Sequence, residues 1–345
     1  MMNIADKGSL FFVISNFLIR NCCFFEKYTY LCALSIKPKT MEQLFYELIQ
    51  VSTKQLDCLS RGPEPEEWAE LHDIARQQKM TGICYRGVQA LFEFGLRVPQ
   101  DLVIDWMAEA EAIEERNTLF IQRTIKVQQK LAEKGYQSSV LIGQGTARDY
   151  GNELMMLREP EGINIFVDAD LNELTAAVAI PEWDETPITL HNTIGLGRNP
   201  LRNWRLRKWF DKNRKSLFVK DGEMVRPSAS MNVVYLLVCL YWRFLYKGLT
   251  MRELTDGFFA LKRLADKERA SQVKYDKIFR SLGLLHFARG MMWIMHTVFR
   301  LDESLQVVKP SAKCGSFILH EVMSGRRHYF RLLLKHPVEM LFALF

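Results

Sequence analysis

A change of period constrains this chain most. Residues 136–227 carry short apolar runs of β type, punctuated by Gly and Pro, between two long stretches of helical periodicity. The runs are Ser139 to Ile142, Ile163 to Val167, Ile188 to His191 and Leu217 to Lys220. Leu171 to Ala179 reads as a helix between them, and Arg202 to Lys212 as a basic segment. A chain patterned in this way is restricted to a helical protein built around a small sheet.

The flanks support that class. Leu44, Phe45, Leu48 and Ile49 recur at helical spacing. Helices are expected from Trp68 to Gln78, Gly82 to Phe94, and Pro99 through Leu131, the last ending at Gly135. Leu119, Ile125, Val127 and Leu131 are among its apolar positions. Beyond the β-type region come Val233 to Leu245, Thr250 to Leu264, Lys274 to Leu282, Leu284 to Phe299, Phe317 to Met323 and Tyr329 to Phe345. Thr250 with Glu253 three residues on makes a capping box. The expected class is α+β, predominantly helical. Its parts are an N-terminal extension (1–40), a helical lobe (41–135), an α/β core (136–227) and a C-terminal helical lobe (228–345).

Composition excludes little. The 345 residues carry a formal charge of +6, mild enough to permit phosphate, nucleic-acid or membrane partners without indicating one. Seven cysteines in no CxxC arrangement argue against a disulfide framework or zinc site and suit a reducing cytoplasm. No uninterrupted apolar run reaches the roughly 18 residues of a spanning helix. Leu10 to Ile19 is short, and the amphipathic pattern starting at Met41 makes residues 1–40 read as an upstream extension or a misassigned start.

The chemistry-bearing stretch is Val140 to Asp170. Gly143-Gln144-Gly145 follows a short strand and opens a helix, a geometry that either cradles phosphate with backbone N–H groups or simply turns the chain. On the next strand the inward-facing polar residue is Asn164, where a metal site would place an acid. Asp168 and Asp170 at its end form an i, i+2 acid pair, which reads as a metal site or as helix-capping acids.

The order of these elements resembles an uncharacterised nucleotidyltransferase family of bacterial surface-polysaccharide gene clusters, within the polymerase-beta-type superfamily. Leu141-Ile142-Gly143-Gln144-Gly145-Thr146-Ala147 and Tyr150 stand where that family reads L-K-G-x-x-x-A-x-x-Y-P, with Ile142 in place of lysine. Arg158 to Val167 aligns with R-x-x-G-D-I-D-L-x-V, its acidic core reduced to Gly162 and Asn164. Ile188-Thr189-Leu190-His191 aligns with V-E-V-H and lacks the acid at Thr189. Asn199 to Phe210 matches the family's basic motif, and Arg252-Glu253-Leu254-Thr255-Asp256 its R-x-L-x-D.

The resemblance implies a small mixed-sheet nucleotidyltransferase core with nucleotide-binding positions Gly143, Gln144, Gly145, Arg158 and Arg205. It also implies a metal site stripped at Gly162, Asn164 and Thr189, hence a catalytically degenerate member. An active enzyme would use Mg²⁺ through Asp168 and Asp170 and would act on a sugar phosphate or related acceptor. The expected partners are a nucleotide or sugar phosphate, or a protein of a polysaccharide pathway. A peripheral membrane contact is a further reading; nucleic acid is not expected.

Other residues have two readings. The basic segment binds triphosphate, sugar phosphate or an anionic membrane surface, or is a solvated helix face with Trp204, Leu206 and Trp209 packed inward. His191 reads as a structural hydrogen-bonding residue. Glu253 and Asp256 read as partners of Arg252 or Lys262. Tyr329 to Phe345 either packs on the C-terminal lobe or rests on a membrane surface.

Overall fold

The computed structural model describes residues 40–93, 95–170, 188–193, 200–268 and 273–325. The expected helices at Leu171 to Ala179 and Tyr329 to Phe345 lie outside these residues, as does the extension before Thr40. The chain divides into two compact units, Met1–Gln43 and Leu44–Phe345. The first helix, α1 (Thr40–Ser52), begins in the former; all later elements belong to the latter.

The helical prelude comprises α2 (Pro65–Gln77), α3 (Thr81–Glu93) and α4 (Gln100–Glu133). Local chemistry sets their ends. Glu67 in the first turn of α2 accepts the Glu64 N–H at 2.9 Å, and Pro65 occupies a position where no N–H is needed. Trp68, Leu71 and Ala75 are buried on one face of α2. The 34-residue α4 starts after Pro99 and ends as Tyr136 N–H returns to the Leu131 carbonyl at 2.9 Å. Val127 and Leu131 are buried, as their spacing predicts, whereas Leu119 is 51% exposed.

The sheet follows. Strands β1 (Ser138–Val140), β2 (Ile163–Val167) and β3 (Ile188–His191) lie in the order β1-β2-β3. β1 pairs antiparallel with β2, and β2 pairs parallel with β3. The fold is therefore mostly helical with a small mixed sheet. Ile163, Ile165 and Val167 cluster with Val140 and with Val127 and Leu131 of α4, and Ile188 and Leu190 pack against them. Alternation along a strand puts Asn164, Phe166, Thr189 and His191 on the opposite face.

Two short helices, α5 (Gln144–Ala147) and α6 (Gly151–Met155), lie between β1 and β2, and α7 (Pro200–Lys212) follows β3. A hairpin of β4 (Val219–Asp221) and β5 (Met224–Arg226) turns at Gly222-Glu223. The expected single run, Leu217 to Lys220, is thus corrected to a two-stranded hairpin. Gln128 of α4 fixes the hairpin by bonding both the carbonyl and the N–H of Val225, at 2.9 and 3.0 Å.

The C-terminal helices are α8 (Ala229–Tyr246), α9 (Met251–Glu268), α10 (Tyr275–Ser281), α11 (Leu285–Phe299) and α12 (Ala312–Ser324). Ser228 caps α8 by accepting from Met231 N–H. Glu253 accepts the Thr250 N–H at 2.8 Å, which closes the expected box on α9. The 18-residue α8 has the length and hydropathy of a spanning segment, yet 72% of it is buried inside the protein. That burial is the packing of a core helix, with α9 as its principal neighbour.

Candidate functional site

The glycine turn is held by backbone crowding. Gly143 has φ +84°, in the left-handed region, and a Cβ there would lie 2.9 Å from the Gly162 carbonyl oxygen. The turn therefore lies against the start of β2. Leu141 N–H also bonds the Asn164 carbonyl at 2.9 Å. Gln144 is buried and donates to Asn117 of α4, whose own amide donates to the Met156 and Arg158 carbonyls. The Gly145 carbonyl accepts from Arg226 at 2.9 Å. Close packing accounts for both glycines without a bound phosphate.

Across the sheet, Asn164 and Thr189 are register partners on adjacent parallel strands. His191 Nε2 lies 3.3 Å from Asn164 Oδ1, and burial lowers its pKa, which favours the neutral ring as donor to the amide oxygen. Thr189 is exposed. With the buried Gly162, these positions offer a neutral amide, a hydroxyl and no third side chain. Mg²⁺ requires anionic oxygen ligands in near-octahedral array, so this set does not fit it. Among the described residues no group of three His, Cys, Asp or Glu side chains could hold a metal ion.

The acid pair at the end of β2 is differently engaged. Arg214 holds Asp168 through both carboxylate oxygens, with Nε–Oδ2 at 2.9 Å. The Asp168 N–H bonds the Gln137 carbonyl at 2.8 Å, while Asp170 is exposed.

The side chains of Arg158 and Arg205 are engaged by partners outside the glycine turn. Arg205 is exposed on α7 and donates to the Ser281 carbonyl at 3.3 Å. Arg158 is buried, with Nε and Nη2 each 2.7 Å from the Asp256 carboxylate. Tyr150 donates its hydroxyl to the same carboxylate at 2.7 Å. Burial opposes the charge on Arg158, but Asp256 outweighs it and raises its pKa. Asp256 is thus matched with Arg158 rather than Lys262, whose ammonium lies over the Phe258 ring.

Next to this triad lies a second ionic cluster that sequence reasoning missed. Glu161 pairs with Lys79, with Arg243 at 2.6 Å and with Arg252 at 2.8 Å. Glu253 pairs with Arg252, as expected, and also with Arg243. Burial opposes ionisation of Glu161 and Glu253, yet their arginine partners hold each at about 2. Lys79, Glu161, Arg243, Thr250 and Glu253 are among the residues lining a cleft of about 640 Å³. The signal was present in Arg252-Glu253-Leu254-Thr255-Asp256. At helical spacing its charges point to neighbouring parts of one surface, ready to grip the loop before β2.

Behind the turn, Asp149 is enclosed by Arg226 and Asn232, with Arg263 3.5 Å away. No protein-family model, curated protein or solved structure matches the chain.

Proposed function

We propose that this protein is a catalytically degenerate nucleotidyltransferase-like protein of the bacterial cytoplasm, linked to surface-polysaccharide synthesis. The observation that carries the reading is the register pairing of Asn164 with Thr189. The family resemblance assigns metal-binding acids to these two positions, and acids on register partners of parallel strands point to one face. Neutral residues now sit there, and Asn164 is engaged by His191. Motif positions distant in sequence also converge: Tyr150, Arg158 and Asp256 share one buried cluster, with Arg252 beside it. A free exposed thiol at Cys58 suits a reducing compartment.

The enzyme reading would need Asp168 and Asp170 as Mg²⁺ ligands. Arg214 already neutralises Asp168, so binding a cation there would require breaking that pair. The favoured reading retains the frame as a binding module for a nucleotide, a sugar phosphate or a protein of the pathway. Calorimetry with Mg²⁺ and each nucleoside triphosphate tests it. The expected result is no metal-dependent heat. Micromolar, Mg²⁺-dependent binding that Asp168→Ala abolishes would overturn the proposal.

A further inference from the structure

One short segment carries a positive excess larger than the protein's whole net charge. Eight of its 46 Lys and Arg residues, but one of its 40 acids, lie between Pro200 and Lys220. The formal charge of the whole chain is +6, so the remainder is close to neutral.

Helix α7 carries five of these eight cations and presents three of them on an unusual face. Leu206 and Phe210 point into the core, where Phe210 meets the Tyr235 ring edge-on at 5.8 Å. Of the two readings of this segment, the one that packs Trp204 inward does not hold. Trp204 is 58% exposed and Leu201 56% exposed. The five positions 201, 204, 205, 208 and 212 fall within a stripe of about 100° on a 3.6-residue helix, opposite Leu206 and Phe210. That stripe reads Leu201, Trp204, Arg205, Lys208 and Lys212, with the Lys208 ammonium 5.3 Å from the Trp204 ring centroid.

A merely solvated face has no use for leucine and tryptophan at its crest. Tryptophan is suited to the headgroup level of a membrane, leucine to the acyl boundary below it, and flanking cations to anionic headgroups. Single-stranded nucleic acid would use the indole for stacking but would leave Leu201 without a role. We propose that the outer face of α7 is a docking surface for an anionic phospholipid membrane, with Trp204 and Leu201 as apolar anchors and Arg205, Lys208 and Lys212 as the electrostatic contact. The surface is independent of the sheet face, and vesicle binding can be read whatever the metal titration gives.

The test is co-sedimentation of the full-length protein with phosphatidylcholine vesicles with and without phosphatidylglycerol. Binding is expected only to the anionic vesicles and should weaken as salt rises. Arg205→Glu combined with Lys208→Glu should lower partitioning by at least about thirtyfold. Trp204→Ala should lower it severalfold while leaving the salt dependence intact. All three positions are exposed, so unfolding temperatures near that of the wild type are expected and would certify the variants as folded; Lys212→Glu replaces either charge reversal if the double variant fails. Failure to bind anionic vesicles, equal binding to neutral ones, or no loss on charge reversal would overturn the proposal. So would tighter, variant-sensitive binding to a single-stranded RNA oligonucleotide that displaces the protein from vesicles.

Discussion

Arg158 and Asp256, 98 positions apart in the sequence, meet in a buried two-point ion pair that joins the loop before β2 to helix α9. The resemblance suggested a ligand-facing role for Arg158, but both of its outer contacts with Asp256 are internal. Removing one partner strands a buried charge, at a cost of about 3–5 kcal/mol. Arg158→Met and Asp256→Asn should each lower the urea midpoint by a corresponding amount. The double variant should lose less than the sum of the two, since each change removes the charge the other strands. Additive losses would contradict this account.

Glu253 should govern part of the acid response. Burial disfavours its charge, but Arg252 and Arg243 hold its pKa at about 2, against an ordinary value of 4.5. A depressed carboxylate pKa stabilises the fold above the ordinary value, and that stability is lost as pH falls from 4.5 through 2. Urea unfolding followed across this range should show a steep decline that Glu253→Gln flattens. An unchanged slope in the variant would assign the acid sensitivity elsewhere.

Two glycines should respond in opposite directions to alanine. At Gly257, within α9, a Cβ would meet Met295 Cε at 3.4 Å, an ordinary contact. Gly257→Ala should therefore stabilise by about 1 kcal/mol through helix propensity alone. At Gly82, in α3, a Cβ would lie 2.3 Å from the Leu157 carbonyl oxygen. Gly82→Ala should destabilise by roughly 1–3 kcal/mol, because backbone has to move. Thermal unfolding of the two variants measures both effects.

Restoring acids on the sheet should create a metal response. Asn164→Asp with Thr189→Asp places two carboxylates on register partners of one face. The double variant should give a Mg²⁺-binding heat in calorimetry where the wild type gives none. If the variant folds and stays silent, the sheet face is not a stripped metal site.

Much of the architecture could be read from period and punctuation. The paths of β2 and β3 match the sequence reading, and the long helices agree to within a few residues, because their periodicity is strong and their ends carry Pro, Gly or a capping box. The β4–β5 hairpin was missed although Gly222, at φ +62°, opens its two-residue loop, since β5 has three residues and too little alternation to announce itself. One of the two readings of the basic segment turned Trp204 and Leu206 both inward, but residues two apart on a helix point in nearly opposite directions. The candidate site was less legible. Arg158, Glu161, Arg243 and Asp256 become partners only through tertiary contacts spanning 82 to 98 positions, and no local pattern specifies which carboxylate meets which guanidinium.

The excess of positive charge on α7 and the segment after it has a consequence for motion in solution. A cationic stripe of this kind raises a positive potential over its own flank of the molecule. In the field of any polyanionic surface the molecule would rotate during approach, so that encounters begin with Trp204 foremost. Orientation would then be selected before contact, and raising ionic strength should slow arrival more than it hastens departure.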